Sequence, residues 1–295
     1  MTEDWKQSRP LFAVLSASPM LWLLVFFLAP LAIVWGYSFG ENTSLTEIAV
    51  DGRLTNYARA LKPLYLAILG KSVWFAGLTT LICLIVGFPV AVAITFATPR
   101  TKAWLLLLIM LPFWTNLLIR TYALMAVLRS EGYINAALAF GWNGIGQLVG
   151  ARAFVPLDLL HNNFAVVFGL VYVQFPFMVL PLYAALDRLD RSLIEASLDL
   201  GAGHLATFAR IVVPLSLPGI VSGVIVTFIP SLGAYLTPDL LGGTNSQMIA
   251  NIIERQFKSA NDWPFGAALS FLLMYLTFAA ILIQSLLSRR RGAAA

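Results

Sequence analysis

The tripeptide Gly70-Lys71-Ser72 matches the end of a nucleotide-binding motif. A nucleotide hydrolase holds phosphates with the pattern GxxxxGK[ST], whose backbone N–H groups and lysine surround the anion. The first glycine of that pattern would stand at position 65, where the chain carries Tyr65. We therefore interpret the tripeptide as a chance match, and we predict that the chain is not itself an enzyme.

Residues able to bind a metal are sparse. His161 and His204 lie far apart in the sequence, and Cys83 is the single cysteine, so an intrachain disulfide is impossible. These residues do not have the spacings that zinc or redox sites require. The sequence therefore predicts no metal and no cofactor on this chain.

The composition indicates that most of the surface faces lipid. Apolar residues make up 59% of the chain and charged residues 11%, whereas soluble domains average roughly 45–50% and about 25%. The net charge of +5 does not indicate nucleic acid, because the basic residues lie scattered at the ends of apolar runs. Long apolar runs without period-2 alternation favour membrane-spanning helices over barrel strands.

Six apolar segments are long enough to cross a bilayer, which predicts an all-α membrane protein with six transmembrane helices. We place them at about 19–39, 72–97, 103–128, 163–186, 211–237 and 265–287. The first could be a cleaved signal peptide, but it exceeds the usual apolar core and lacks a clear cleavage site, so we expect it to be retained. The predicted organisation is an N-terminal segment (1–18), a permease domain (19–287) and a basic tail (288–295).

Lysine and arginine predict the orientation. With both termini in the cytoplasm, the short inner segments hold ten of these residues and the longer outer segments hold eight. The higher inner density agrees with the positive-inside rule, and the 98–102 turn and the 289–291 tail support it most strongly.

Ionisable residues are almost absent from the six segments, and Arg120 is the single exception. An ion-coupled carrier uses such groups as relays, so their absence counts against a secondary transporter and implies an outside source of energy. Two interpretations of Arg120 remain open. The side chain either pairs with a carbonyl or a substrate inside the bundle, or extends to the outer face.

The predicted cytoplasmic loop 187–214 has the clearest local pattern. Arg191 and Glu195 lie one turn apart, and we expect them to pair, worth about 0.2–0.5 kcal/mol. Gly201 is placed for a left-handed helix cap, and a second short helix is expected over about 203–213. A helix–glycine–helix elbow can be a solvated linker or can bind in a partner's groove. The apolar face expected of the first helix comprises Leu189, Leu193, Ala196 and Leu200, and that of the second Leu205, Phe208 and Val212.

This loop resembles the EAA motif of ABC importer permeases, which reads EAA, three residues, G, nine residues, then IxLP. The matching positions here are Glu195, Ala196, Ser197, Gly201, Ile211 and Pro214. Ser197 replaces the second alanine and Val213 the leucine. The resemblance implies a type I-like permease fold whose short coupling helices dock on a cytoplasmic ATPase.

The resemblance extends over nearly the whole chain. Segments 111–122, 131–135, 233–235, 240–243 and 262–268 are similar to the first permease of spermidine/putrescine-type importers. That family implies a second homologous permease, two ATPase subunits that bind ATP and Mg, and an outer (periplasmic) solute-binding protein, all at the bacterial inner membrane. A polyamine or related amine is the implied solute. An ion-coupled carrier and a structural membrane protein remain the alternatives.

A translocation pathway for an amine would use aromatic faces and polar groups. We expect candidates among Trp114, Asn116, Arg120, Tyr122, Tyr172, Gln174, Tyr235 and Asp239. Interface anchoring and helix packing account for most of the aromatic residues, and we expect only a minority of them to line the pathway. Prolines 214, 218, 230 and 238 predict a kinked fifth span, and Gly219 and Gly223 are spaced for close helix packing.

Overall fold

The computed structural model describes residues 9–44, 47–149 and 154–292. Residues 1–8 of the predicted N-terminal segment and 293–295 of the predicted tail lie outside this range. The chain forms two compact units, Met1–Leu66 with Ile252–Ala295 and Ala67–Asn251. The α-helices are α1 Arg9–Leu23, α2 Ala29–Tyr37, α3 Thr55–Ala60, α4 Pro63–Phe96, α5 Pro99–Met110, α6 Leu117–Leu128, α7 Tyr133–Val149, α8 Asn163–Leu186, α9 Arg191–Asp199, α10 His204–Thr207, α11 Val213–Leu215, α12 Leu217–Leu232, α13 Leu236–Leu241, α14 Ile249–Lys258 and α15 Trp263–Gly292.

Short elements of other types join some of these helices. Two π-helices, Leu24–Leu28 and Phe208–Val212, follow α1 and α10, and two 3₁₀ turns cover Leu111–Trp114 and Thr244–Ser246. Strands β1 Gly40–Asn42 and β2 Ile48–Val50 pair antiparallel with Glu41 opposite Ala49. This hairpin is the exception to the predicted all-α class in the described part of the chain.

The first unit is held together by polar contacts beside the hairpin. The Asn56 side chain donates hydrogen bonds to the carbonyl oxygens of Ser38 (3.2 Å) and Gly40 (2.8 Å). Arg59 pairs with Asp262 at 2.7 Å and lies 3.9 Å from the centre of the Phe265 ring. These contacts fix the residues before α15 against the short helix α3.

The second unit has its core between α4 and α8. Gly219 and Gly223 let α12 approach α8 closely, since a Cβ at Gly219 would overlap Ala185 and lie 2.8 Å from the Pro181 carbonyl oxygen. The structure thus gives these glycines the packing role that their spacing predicts. The buried cluster comprises Cys83, Phe88, Ala91, Ile94, Met178, Val179, Leu182, Leu186 and Val212.

Four helices, Leu15–Tyr37, Pro63–Phe96, Asn163–Leu186 and Trp263–Leu282, are long and apolar enough to cross a membrane. Two bent pairs raise the number to six if each pair is one span. The second span is longer than predicted, because its helix begins at Pro63 rather than near Ser72. The predicted outer segment 129–162 contains a helix, α7, that was not expected from the sequence.

The third predicted segment is not a straight helix. Pro112 and the extended residues Thr115 and Asn116 interrupt it, and the two halves meet at 98°. Asn116 caps α6 by accepting a hydrogen bond from the Leu118 N–H at 2.8 Å. Because proline lacks an N–H and Asn favours a helix start, local chemistry explains the break.

The fifth predicted segment is bent too. The helices His204–Leu215 and Leu217–Leu232, which together cover most of it, meet at 65°. Pro214 and Pro218 lack backbone N–H donors at this bend. The expected kinked helix is therefore present, and the bend separates the elbow from the span α12.

Candidate coupling site and pathway residues

The elbow begins where α9 is capped by Asp190. Its carboxylate accepts a hydrogen bond from the Ser192 backbone N–H at 3.0 Å. That bond lowers the pKa of the Asp190 carboxyl below its ordinary value, since it stabilises the ionised form. The aspartate therefore satisfies one of the free N–H groups at the helix start.

Gly201 ends α9 in the left-handed conformation, with φ +85°. The Gly201 N–H donates to the Leu198 carbonyl at 2.9 Å, and the Ala202 N–H donates to the Ser197 carbonyl at 3.1 Å. These two bonds form a Schellman motif, which satisfies the last carbonyls of a helix. The predicted glycine cap is confirmed in the geometry, and it turns the chain sharply into α10.

A side-chain bond closes the elbow. The hydroxyls of Ser197 and Thr207 share a hydrogen bond of 3.0 Å, and Thr207 is almost fully buried. Behind it, Phe208 packs edge-on against Phe88 at 5.4 Å, and Val212 lies in the core of the second unit. Thr207 was not among the predicted site residues, because a single threonine gives no pattern of its own.

The tip of the elbow is apolar and exposed. Leu200 and Leu205 stand on either side of Gly201 with 89% and 81% of their surface accessible. Only part of the predicted apolar faces therefore turns inward, and Ile194 rather than Leu193 packs with Leu189 against the core. A contiguous apolar surface in a polar loop is one mark of a site that a partner covers.

The remaining motif residues surround this tip. Glu195 and Ala196 are exposed on α9, Ile211 is half-buried, and Pro214 lies in the exposed short helix α11. Glu195 does not pair with Arg191, which corrects the expected one-turn ion pair. Arg191 instead donates to the Thr95 carbonyl at 3.4 Å and lies 5.3 Å from the Phe96 ring. That carbonyl is at the end of α4, where the helix dipole attracts a cation.

The Asp190 cap leads to a testable expectation. Replacing Asp190 with Ala removes the acceptor of the Ser192 N–H, so we expect severalfold faster amide hydrogen exchange in the first turn of α9. Asp190→Asn keeps an oxygen in place and should retain the protection. Because the folded-state pKa is lowered, the wild-type cap is intact at neutral pH and weakens only as pH falls through that lowered value. Equal exchange in the wild type and the Ala variant would show that the cap does not order the elbow.

Arg120 lies inside the second unit and not on its surface. It is 8% exposed, and its guanidinium donates to the Thr115 carbonyl at 2.9 Å, at the break before α6. Of the two interpretations left open, the contact with a carbonyl is the one found. The Nε of Arg120 has no partner among the described residues.

The other pathway candidates lie on several elements, and the structure does not gather them into one site. Gln174 is 4% exposed in α8, whereas Trp114 is 76% and Tyr122 is 53% exposed. Tyr172, Tyr235 and Asp239 are also exposed, and Asn116 serves as the cap of α6. Their role in a pathway stays a prediction.

Two serine-containing motifs have structural roles. Gly70-Lys71-Ser72 lies within α4, where Lys71 donates to the Asn245 carbonyl and Ser72 accepts from the Ile249 N–H at 2.7 Å. The segment Gly36-Tyr37-Ser38-Phe39-Gly40 has the GxSxG spacing of some serine hydrolases. Ser38 is buried and bonds the Trp35 carbonyl (2.6 Å) and the Tyr57 hydroxyl (2.9 Å). Neither motif presents a catalytic group.

Comparison with known proteins places this architecture in a family. Residues 147–292 match the family described as "Binding-protein-dependent transport system inner membrane component". The spermidine/putrescine transport system permease protein PotB of Salmonella typhimurium (strain SL1344) is 39% identical over 268 residues, which cover 91% of this chain and 90% of PotB. PotB of Haemophilus influenzae is 36% identical over 273 residues, covering 91% and 92%.

A solved structure shares the fold. A chain of a bacterial ABC transporter involved in import of the acidic polysaccharide alginate superposes with a TM-score of 0.71 over 98% of both chains, at 15% identity. The relatives are transport components, which confirms the expectation that this chain is not an enzyme. The chain is thus a multi-pass inner-membrane protein with the type I permease fold, and it belongs to the family of permease subunits of binding-protein-dependent ABC importers.

Proposed function

We propose that this permease carries spermidine, putrescine or a closely related amine into the cell, driven by an ATPase that docks on its elbow. The observation that carries the proposal is the elbow itself, a capped helix and a glycine turn with two exposed leucines at the tip. The PotB proteins are named for spermidine and putrescine, and their similarity covers about nine-tenths of this chain. Their names support the choice of solute.

The proposed assembly contains a second homologous permease, two ATPase subunits that bind ATP and Mg, and a periplasmic solute-binding protein. Both termini and the elbow lie in the cytoplasm. The inner 98–102 turn and the loop 187–214, which contains the elbow, are both predicted to lie there from charge density, and Lys102 and Asp187 bring these two segments into contact. Two segments at one end of a bundle share a membrane side, so this contact supports the proposed topology.

The decisive experiment is uptake by proteoliposomes that contain the assembled importer. We expect labelled spermidine or putrescine to enter only with ATP and the binding protein present, and we expect dissipating ion gradients to have no effect. Unlabelled amine should compete, whereas an uncharged diol of equal length should not. Uptake driven by an ion gradient without ATP would instead establish the secondary carrier, and the absence of any amine uptake would refute the solute.

A further inference from the structure

Two helix ends that are predicted to lie on the inner side meet beside the elbow. Lys102, in the first turn of α5, donates to the Asp187 carboxylate at 2.6 Å. Asp187 follows directly after α8 and precedes the elbow. The Tyr183 hydroxyl donates to the other carboxylate oxygen at 3.3 Å, and the Lys102 ammonium lies 5.4 Å from the Tyr183 ring. The ammonium, the carboxylate and the ring therefore form one connected cluster.

The cluster joins elements that are otherwise separate in sequence. Arg191, the first residue of α9, bonds the Thr95 carbonyl at the end of α4. That contact is a single bond of 3.4 Å to the backbone, whereas Lys102 and Asp187 make a short, charge-assisted bond between side chains. The Lys102–Asp187 bond is the shorter of these two links, and it connects the residues just before the elbow to the third span.

The pair contributes little to holding the fold. The Lys102 and Asp187 side chains are 24% and 42% exposed, and ion pairs this accessible to water add little to stability. Asp187 loses its charge only at a pH below the ordinary carboxyl range, because the hydrogen bond from Lys102 lowers its pKa. The link is therefore intact at neutral pH, and we expect the unit to stay folded when it is removed.

We propose that the Lys102–Asp187 pair transmits movement of the elbow to the third span, so that both act as positioning residues for transport. The inference rests on the proposed function, since it assumes that an ATPase moves the elbow. The pair is suited to transmission because a helix lies on either side of it. When the elbow moves Asp187, the bonded Lys102 draws α5 with it. The third span carries the break at Pro112–Asn116 and the buried Arg120, so the movement reaches the interior of the unit.

The test is a charge swap in the assembled importer. Lys102→Asp and Asp187→Lys each place like charges together, and we expect each to reduce ATP-driven uptake roughly fivefold or more, within the usual range of coupling between sites. ATP hydrolysis should continue and the ATPase should still co-purify, because the elbow tip is unchanged. The double variant restores an attractive pair and should recover most of the uptake.

Arg100→Asp is the matched control. Arg100 lies in the same first turn of α5, and it makes no ion pair in the described part of the chain. Arg100→Asp makes the same change of charge in the same predicted inner turn as Lys102→Asp. Any effect of that charge on membrane orientation is therefore common to both variants. We expect uptake close to that of the wild type, and Lys102→Arg should also transport normally.

Three results would overturn the inference. One is normal uptake by both single variants, and another is a double variant no better than the weaker single one. The third is loss of the ATPase from the single-variant complexes, which would place the pair in docking and not in transmission. Failure of the proposed function is separate, since the wild-type importer would then show no ATP-driven amine uptake.

Discussion

Gly201→Asp should reduce ATP-driven uptake to background while the protein still reaches the membrane. At φ +85° a residue with a Cβ is strained by up to roughly 1–2 kcal/mol, and by less for aspartate than for most residues. This strain weakens the Schellman turn that sets the angle between α9 and α10. The substitution also places a carboxylate between Leu200 and Leu205, where an apolar partner surface would have to desolvate it. Both effects act on docking. The measurement is uptake together with co-purification of the ATPase.

Gly203→Asp is the matched control for this result. Gly203 lies two residues further along the same loop, with φ −69° and open space around it. It precedes α10 at the capping position, where aspartate is favoured. The same charge enters the same loop without strain, so we expect substantial uptake. If Gly201→Asp transports and binds the ATPase as the wild type does, the elbow is not the docking site.

Gly219→Ala should destabilise the second unit by forcing α12 away from α8. The new Cβ would overlap Ala185 Cβ and lie 2.8 Å from the Pro181 carbonyl oxygen. Neither neighbour can move away as a flexible side-chain end would, since one atom is backbone and the other a Cβ. Overpacking of this kind costs about 1–3 kcal/mol. We expect a lower thermal unfolding midpoint of the purified protein and less folded protein in the membrane.

Gly77→Ala provides the comparison in a second long helix. Gly77 lies within α4, and an added Cβ there meets nothing within 4 Å. Alanine also has the higher helix propensity, by about 0.8–1.0 kcal/mol in peptides. The midpoint should stay the same or rise. A Gly219→Ala protein as stable as Gly77→Ala would show that α8 and α12 separate easily. The close packing of these two helices would then not contribute to the stability of the unit.

The amino-acid sequence alone was sufficient for the class of protein, the elbow and its glycine. Lipid-facing composition and apolar length depend only on residue type, and the left-handed cap at Gly201 depends on neighbours a few residues away. Such local signals do not require knowledge of the packing. The resemblance of residues 195–214 to the EAA motif led to the family that the PotB relatives then established.

Contacts between distant residues were decided by the tertiary structure. Arg191 was expected to pair with Glu195, but it contacts a carbonyl and an aromatic ring at the end of α4, so packing determined its partner. Lys102 and Asp187 are 85 residues apart, and no periodicity relates them. The short-range bond from Arg120 to the Thr115 carbonyl also depends on the fold, because it requires the break before α6. Charge, the length of apolar runs and glycine positions can therefore be interpreted from the sequence alone. The partners of charged side chains depend on which helix ends the fold brings together.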